Sequence, residues 1–351
     1  ASAGRPGYTD ALRRRYASAR RSFDLSVPFV ERSMEWCRSG GQVGLVLPNK
    51  LLSADYARVL RERLNETAAV EAMIDFAGDH AFDAQVYPVV LVLRRGPAEA
   101  SAPLSLFRSQ GGVPALIRRG VQADLRGTPG ASWNAALDPD WPHLRRFFEG
   151  TIPLGEVATL SAGMTVAEAY TLRDAVYEQA NGQPESGALR LVTSGVIERY
   201  SLGWGERPVR FLSRTYRRPL IPAEVLPARR LEQARSAKII ISGMGQSIRA
   251  ALDDGRVQPA VATVMVTASD WPLEVLCVLL NSGLLSRVYR ALFGGLALNG
   301  GYLRYGKREL AQLPLPAAIP SQYRMQALAR LAQLPDGSRA VLDRAVENLY
   351  R

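Results

Sequence analysis

The sequence predicts an α/β protein of two domains, and three observations carry that expectation. The first 95 residues alternate in hydrophobic pattern as helix, strand, helix, strand, strand, the order of an α/β sheet. Beyond Ile152, strand-like runs separated by polar loops precede a strongly apolar helical stretch from Trp271. The chain of 351 residues, 47% apolar and 22% charged, is long enough for two cores of roughly 100–200 residues each.

Residues 1–22 are polar and arginine-rich, an exposed arm or part of a helix. From Asp24 a helical pattern runs through Val27, Phe29, Val30, Met34 and Trp36 and stops at Gly40-Gly41, as a helix C-terminus should. The short apolar run Val43 to Leu47, broken by Pro48-Asn49, suits a buried parallel strand. A second helix follows from Ala54, with Val59, Leu60 and Leu64 on one face and Arg58, Arg61, Glu62 and Arg63 on the others. Ala69 to Phe76 and Val86 to Leu93 read as strands, Pro88 placing the latter at an edge or bulge. Residues 96–146, rich in Gly, Pro, Ser and Ala, read as a connecting segment of short strands. A new unit starts near Ile152 and closes at Leu313-Pro314-Leu315-Pro316. Its strands are expected at 157–160, 189–192, 208–212, 238–242 and 261–266. Residues 322–350 form a helical tail.

The net charge of +11 favours an acidic partner, although an arginine- and alanine-rich composition also follows from a GC-rich genome. One basic stretch follows the apolar helix, where Leu279 to Lys307 turns abruptly to glycine and basic residues. Between Ser286 and Arg308 there is no acid, and Tyr289, Phe293, Tyr302 and Tyr305 are interleaved with Arg287, Arg290, Arg304 and Lys307. A cationic, aromatic segment suits nucleic acid, whereas a solvated basic loop closing a core helix explains the same residues equally well. Cys37 and Cys277 sit in apolar helical patterns as small core residues, and two cysteines with two distant histidines cannot build a zinc site of the usual spacing. No run of about 18 apolar residues and no signal peptide is present, so a cytoplasmic protein with no membrane partner is expected.

Several stretches imitate nucleotide motifs without matching them. Gly301 to Lys307 has phosphate-loop spacing, but Arg308 stands where a Ser or Thr would hold magnesium. Gly243-Met244-Gly245 has Ile248 in place of the third dinucleotide-loop glycine and reads better as a hairpin turn. Asp138-Pro139-Asp140-Trp141 imitates an adenine-amine motif with one proline lost, and a polar turn is the better reading.

One ordered set is more specific. Asp24-Leu25, Phe29-Val30-Glu31-Arg32, Gly40-Gly41, Gly44-Leu45-Val46-Leu47-Pro48-Asn49, Leu51-Leu52, Tyr56, Leu60-Arg61 and Phe82-Asp83-Ala84-Gln85-Val86-Tyr87 follow one another. Together they resemble the second half of an adenine-N6-specific DNA methyltransferase of a restriction–modification type. Ile152 to Gly155, Lys238 to Ile240, Leu280 to Ser282, Gly301 to Tyr305 and Leu313 to Pro316 resemble that family's C-terminal target-recognition domain.

The resemblance implies a partial Rossmann-like methyltransferase sheet followed by an α+β target-recognition domain. The implied boundaries are 1–95 for the back of the catalytic domain, 96–146 for the connection, 147–320 for recognition and 321–351 for the tail. Phe82 would pack on a flipped adenine, since the amine cannot be reached inside a stacked duplex. Arg287, Arg290, Arg304 and Lys307 would position phosphates of double-stranded DNA. Gln246, Ser247, Arg249 and Asn299 would read base edges, and Tyr302 is a further DNA contact. Lys238 is the candidate for a solvent-facing strand lysine.

The family's cofactor glycine loop, ribose-binding acid and Asn-Pro-Pro-Tyr motif are missing upstream of Asp24. The chain is therefore expected to be a fragment or subunit, inactive alone, that binds no cofactor and needs an N-terminal catalytic half. S-adenosylmethionine would belong to the complete parent enzyme. A start at Ala1 rather than methionine suits a fragment. The alternatives are a non-catalytic DNA-specificity protein and a Rossmann-like small-molecule transferase.

Overall fold

The computed structural model describes residues 7–76, 79, 87–180, 187–297, 301–318 and 339–350. The chain divides into two compact units, residues 1–146 with 290–297, and residues 147–289 with 298–351. The first unit contains α1 (Tyr8–Arg15), α2 (Ser26–Trp36), β1 (Gln42–Pro48), α3 (Arg58–Thr67), β2 (Ala68–Asp75), β3 (Pro88–Arg95), β4 (Pro103–Gln110) and β5 (Val113–Val121). Its five strands lie in the order β1-β3-β2-β4-β5. β3 runs antiparallel to both β1 and β2, β2 pairs parallel with β4, and β5 returns antiparallel.

The core lies on one face of this sheet. Val27 and Val30 of α2 and Leu60 and Leu64 of α3 pack with Leu91, Leu93, Leu104 and Leu106, the inward residues of β3 and β4. The segment before α2 is held by Glu31, whose buried carboxylate accepts from the backbone N–H groups of Ala17 at 3.1 Å and Ser18 at 3.0 Å.

Four expectations change here. Residues 43–47 form an antiparallel strand at the end of the sheet in which only Leu47 is buried, because an apolar run fixes neither strand direction nor what covers the strand. Pro88 opens a central strand, where a missing N–H is tolerated at the first residue. The segment after residue 96 supplies β4 and β5, which belong to the same sheet rather than to a connection. On α2, Phe29 and Trp36 face outward, and Cys37 is only partly buried.

Arg61 is the largest departure, a fully buried guanidinium on a helix face read as solvated. Its Nε donates to the Ala131 carbonyl at 2.7 Å and one terminal nitrogen to Leu51 at 2.7 Å and Ala54 at 2.9 Å. The other donates to Gly130 at 2.9 Å. Burial lowers its pKa to about 10, which leaves it charged at neutral pH.

The second unit holds two four-stranded sheets. One orders Ala250–Asp253, Lys238–Ser242, Thr263–Ser269 and Ala158–Ala162, all antiparallel. The other orders Val257–Pro259, Ala188–Val192, Pro219–Pro222 and Tyr177–Glu178. The two proline-containing motifs expected to bound this unit meet in space, with Pro314 opposite Pro153 and Leu315 opposite Ile152, and the unit itself continues to residue 351. The apolar stretch after Trp271 forms two helices, Leu273–Leu280 and Gly283–Phe293, broken at Asn281-Ser282. Asn281 donates from its amide to the Ala250 carbonyl at 2.8 Å and accepts from the Ala250 N–H at 2.9 Å, binding the break to a strand. In the tail, helix Arg339–Glu347 offers Asp343 to the Gly283 N–H at 2.6 Å.

Lys238 is buried rather than solvent-facing. Its ammonium donates to the Ala234 carbonyl at 2.6 Å and pairs with Asp253, whose carboxylate also accepts from the Gly255 and Arg256 N–H groups, each at 3.2 Å. Desolvation lowers the Lys238 pKa, and the partner carboxylate opposes that shift.

Arg61→Met should cost about 3 kcal/mol or more in urea unfolding, because four carbonyls lose their donors, and Arg61→Lys should recover only part of that loss. Glu168 accepts from Arg230 at 2.8 and 2.9 Å and caps a helix by accepting from the Thr165 N–H, which holds its pKa down to about 2 from an ordinary 4.5. A carboxyl depressed on folding stabilises above its unfolded pKa and loses that contribution as pH falls through the folded one. The stability difference between the native chain and Glu168→Gln should therefore shrink between about pH 4.5 and 2 in denaturant titrations.

Candidate functional site

In open α/β sheets, ligands bind outside the carboxyl ends of the strands. In the first unit a cavity of about 310 Å³ lies at the ends of β1 and β2, lined among others by Asn49, Asp75, Arg108, Asn134, Asp138 and Arg290. Pro48 ends β1, and Asn49–Leu52 turn away as a single 3-10 turn. The Asn49 N–H donates to the Tyr87 carbonyl at 2.8 Å, and the residue is 5% exposed. Nearby, the buried Ser53 hydroxyl has no hydrogen-bond partner among the described residues.

The opposite wall is built by Asn134, whose amide donates to the Ala291 carbonyl at 2.7 Å, and by Gly294 and Gly295. A Cβ on Gly295 would sit 2.9 Å from Asn134 Oδ1 and 3.2 Å from the Asn49 carbonyl, so any larger residue would have to displace the Asn134 side chain. Asp75 pairs with Arg108 at 3.5 Å. Asp138 accepts from the Asp140 N–H at 2.9 Å, the polar turn expected of that stretch. A larger, more open groove of about 630 Å³ elsewhere in this unit is lined by partnered charges, Arg58 with Glu62 and Arg126 with the Asn65 and Ala98 carbonyls.

In the second unit a two-residue ladder, Met244–Gly245 against Leu303–Arg304, joins segments distant in sequence. It brings the exposed Gln246, Ser247, Tyr302 and Arg304 to one end of the unit, with Lys307 two residues past Tyr305. Tyr305 anchors the ladder, its N–H donating to Gly243 at 2.9 Å and its hydroxyl to Gly245 at 3.3 Å. Arg249 is held from behind by Glu198 at 3.4 Å, and Glu198 also pairs closely with Arg207.

Of the residues expected to contact DNA, Gln246, Arg249, Tyr302, Arg304 and Lys307 lie in the second unit around this ladder or just after it. Arg287 is exposed on helix Gly283–Phe293, and Arg290 falls in the first unit at the cavity rim. Phe82 and Asn299 lie outside the described residues. The aromatic interleaving is largely overturned. Tyr289, Phe293 and Tyr305 are at most 2% exposed, and Tyr289 donates to the Arg304 carbonyl at 2.6 Å. Leu285, Tyr289 and Phe293 recur every four residues, the spacing of a buried helical stripe.

Glu198 and Arg207 were invisible in sequence because neither lies in a motif. Gly243 serves packing rather than a dinucleotide, since a Cβ there would lie 2.1 Å from the Ala262 carbonyl. Among the described residues there is no group of three or more His, Cys, Asp or Glu able to hold a metal ion, and no single helix is long and apolar enough to cross a membrane.

Residues 3–82 match the family model described as Eco57I restriction-modification methylase. Over 96% of its length the chain is 26% identical to type II methyltransferase M.PaeR7I of Pseudomonas aeruginosa, covering 66% of it. Over 93% it is 23% identical to type II methyltransferase M.XhoI of Xanthomonas vasicola, covering 68% of it. The solved structure of the type IIL restriction-modification enzyme MmeI in complex with DNA matches 99% of the chain with a TM-score of 0.60 at 12% identity, and the match covers 52% of that enzyme. The last likeness is one of fold. The chain spans about two thirds of these curated relatives. Its resemblance to restriction–modification methyltransferases holds in sequence and in fold.

Gly295→Ala should cost about 1–3 kcal/mol by thermal or urea unfolding, because Asn134 must move to admit the methyl group.

Proposed function

We propose that the chain supplies DNA recognition and the back of the catalytic sheet for a site-specific adenine-N6 DNA methyltransferase, and is inactive until joined to an N-terminal catalytic half. The observation that carries the DNA reading is the convergence of Gln246, Arg249, Tyr302 and Arg304 beside one ladder in the second unit. Arginines and Lys307 there suit phosphate positioning, while Gln246 and Arg249 have the donors and acceptors that base edges require.

The need for a second half rests on β1. It closes the sheet with residues Gln42 to Pro48, which include no charge and no internal proline or bulge. Natural edge strands carry such protection. The opposite edge has it, since β5 contains Pro114, Arg118 and Arg119. The sheet face away from the core is apolar as well. Val46, Val90, Ile74 and Phe107 form one cross-strand row and Gly44, Val92 and Ala72 another, all of them exposed or half-buried. An apolar edge and an apolar face of this extent suit cover by a further α/β segment. S-adenosylmethionine would be held by that segment, which would carry the glycine loop, the ribose-binding acid and the Asn-Pro-Pro-Tyr motif. No residue of this chain is assigned to the cofactor.

Mixing the chain with such a segment should give methyl transfer to adenine in duplex DNA that neither piece shows alone. Val46→Lys, on the exposed face of β1, should change the chain's own stability by less than about 0.5 kcal/mol yet weaken reconstitution at least about tenfold. Equal reconstitution by Val46→Lys would contradict the assembly. Lys307→Ala should weaken duplex binding similarly on all sequences and lower the salt slope by about 1.

A further inference from the structure

Exposed apolar side chains are ordinary when scattered singly, but a row of large ones on one helix face marks a contact surface. Helix α2 carries two rows. Val27, Val30 and Met34 are buried in the core of the first unit, whereas Leu25, Phe29 and Trp36 are 38, 55 and 73% exposed. With Arg32 these three follow a 4-3-4 spacing, which makes them one helical ridge on the side opposite the core. The ridge is also separate from the apolar outer face of the sheet, because α2 packs on the other side.

Trp36 is held in place. The Arg32 guanidinium lies over its ring at 4.6 Å and pairs with Glu35 at 2.9 Å, and Glu35 in turn accepts from Arg15 of α1 at 2.6 and 3.1 Å. Arg95, at the end of β3, donates to the Glu35 carbonyl at 3.0 Å and to the Cys37 carbonyl, which fixes the helix end that carries the ring. A tryptophan oriented in advance loses little entropy when a partner covers it. Tryptophan and arginine are also enriched among the residues that dominate interface energies.

We propose that the ridge Leu25-Phe29-Arg32-Trp36 is a docking surface for an acidic amphipathic helix of a partner protein. Its spacing specifies a helix, since side chains rising by about 6 and then about 4.5 Å along a straight axis mesh with the ridge of a second helix. Single-stranded nucleic acid needs successive flat platforms for its bases, and Leu25 offers none. The surrounding charge specifies the acid. Residues 7–38 contain seven arginines and four acids, and each acid is already engaged. Glu31 accepts from the Ala17 and Ser18 N–H groups, Glu35 pairs with Arg15 and Arg32, Asp10 with Arg13, and Asp24 accepts from the Ser26 N–H. A second copy of the chain would set this excess of arginine against itself. One helix of about 16 Å also falls short of the roughly 800 Å² per partner that a stable dimer buries.

The test uses the full chain, without DNA, and a fluorescein-labelled peptide of about 18 residues, long enough to hold a helix, with leucines at the same 4-3-4 spacing and glutamates on the flanks. A second peptide has lysine at every glutamate position, and binding is read by anisotropy. The native chain should bind the acidic peptide at least about tenfold more tightly than the basic one, with an affinity that falls as salt rises. Phe29→Ala and Trp36→Ala, both exposed and so harmless to the fold, should each weaken the acidic peptide about tenfold or more. Tyr170→Ala, which removes a similarly exposed aromatic from the second unit, should bind as the native chain does. No binding of the acidic peptide, equal binding of the two peptides, or unchanged binding in both Phe29→Ala and Trp36→Ala overturns the proposal. Oligothymidylate that displaces the peptide from the native chain and is itself weakened by Trp36→Ala would assign the ridge to single-stranded nucleic acid and overturn a protein partner.

Discussion

The first unit depends on one buried charge. Arg61 sends its donors to four carbonyls, at Leu51, Ala54, Gly130 and Ala131, and so fastens α3 both to the turn after β1 and to the segment that leads into Asn134. A guanidinium suits this task because its planar fork presents five fixed donors, and carbonyl acceptors let it stay charged without a buried carboxylate. Both walls of the cavity follow from it. Asn49 lies two residues before Leu51, and Asn134 lies three residues after Ala131.

The second unit uses the same device with a different cation. Lys238 and Asp253 satisfy one another inside the sheet, and the carboxylate then gathers the N–H groups of the following turn. Its surface chemistry is arranged differently, with Glu198 shared between Arg207 and Arg249 so that the arginine next to the Met244–Leu303 ladder is held rather than free to rotate. Holding such side chains in advance lowers the entropy lost on binding.

Much of this was legible in sequence, and the failures have physical causes. The strands at 189–192 and 238–242 emerged because hydrophobic runs bounded by turn residues have few other solutions. The Ile152 and Leu313 motifs pair with one another, whereas the second unit runs on past Pro316 to residue 351. Strand direction at 43–47 was not legible, since pairing is decided by distant residues. Arg61 and Lys238 read as surface charges because a sequence does not display the carbonyls that accept from them. Tyr289 and Phe293 were the avoidable error, as their four-residue spacing from Leu285 already placed them on the buried stripe.

The central claim is that the second unit reads a DNA site. Selection of duplexes from a random-sequence pool by the isolated chain, repeated across a salt series, tests it most directly. The account predicts enrichment of one short adenine-containing site and an affinity that falls steeply with salt. Failure to bind duplex at low salt, or binding that enriches no sequence, would contradict it.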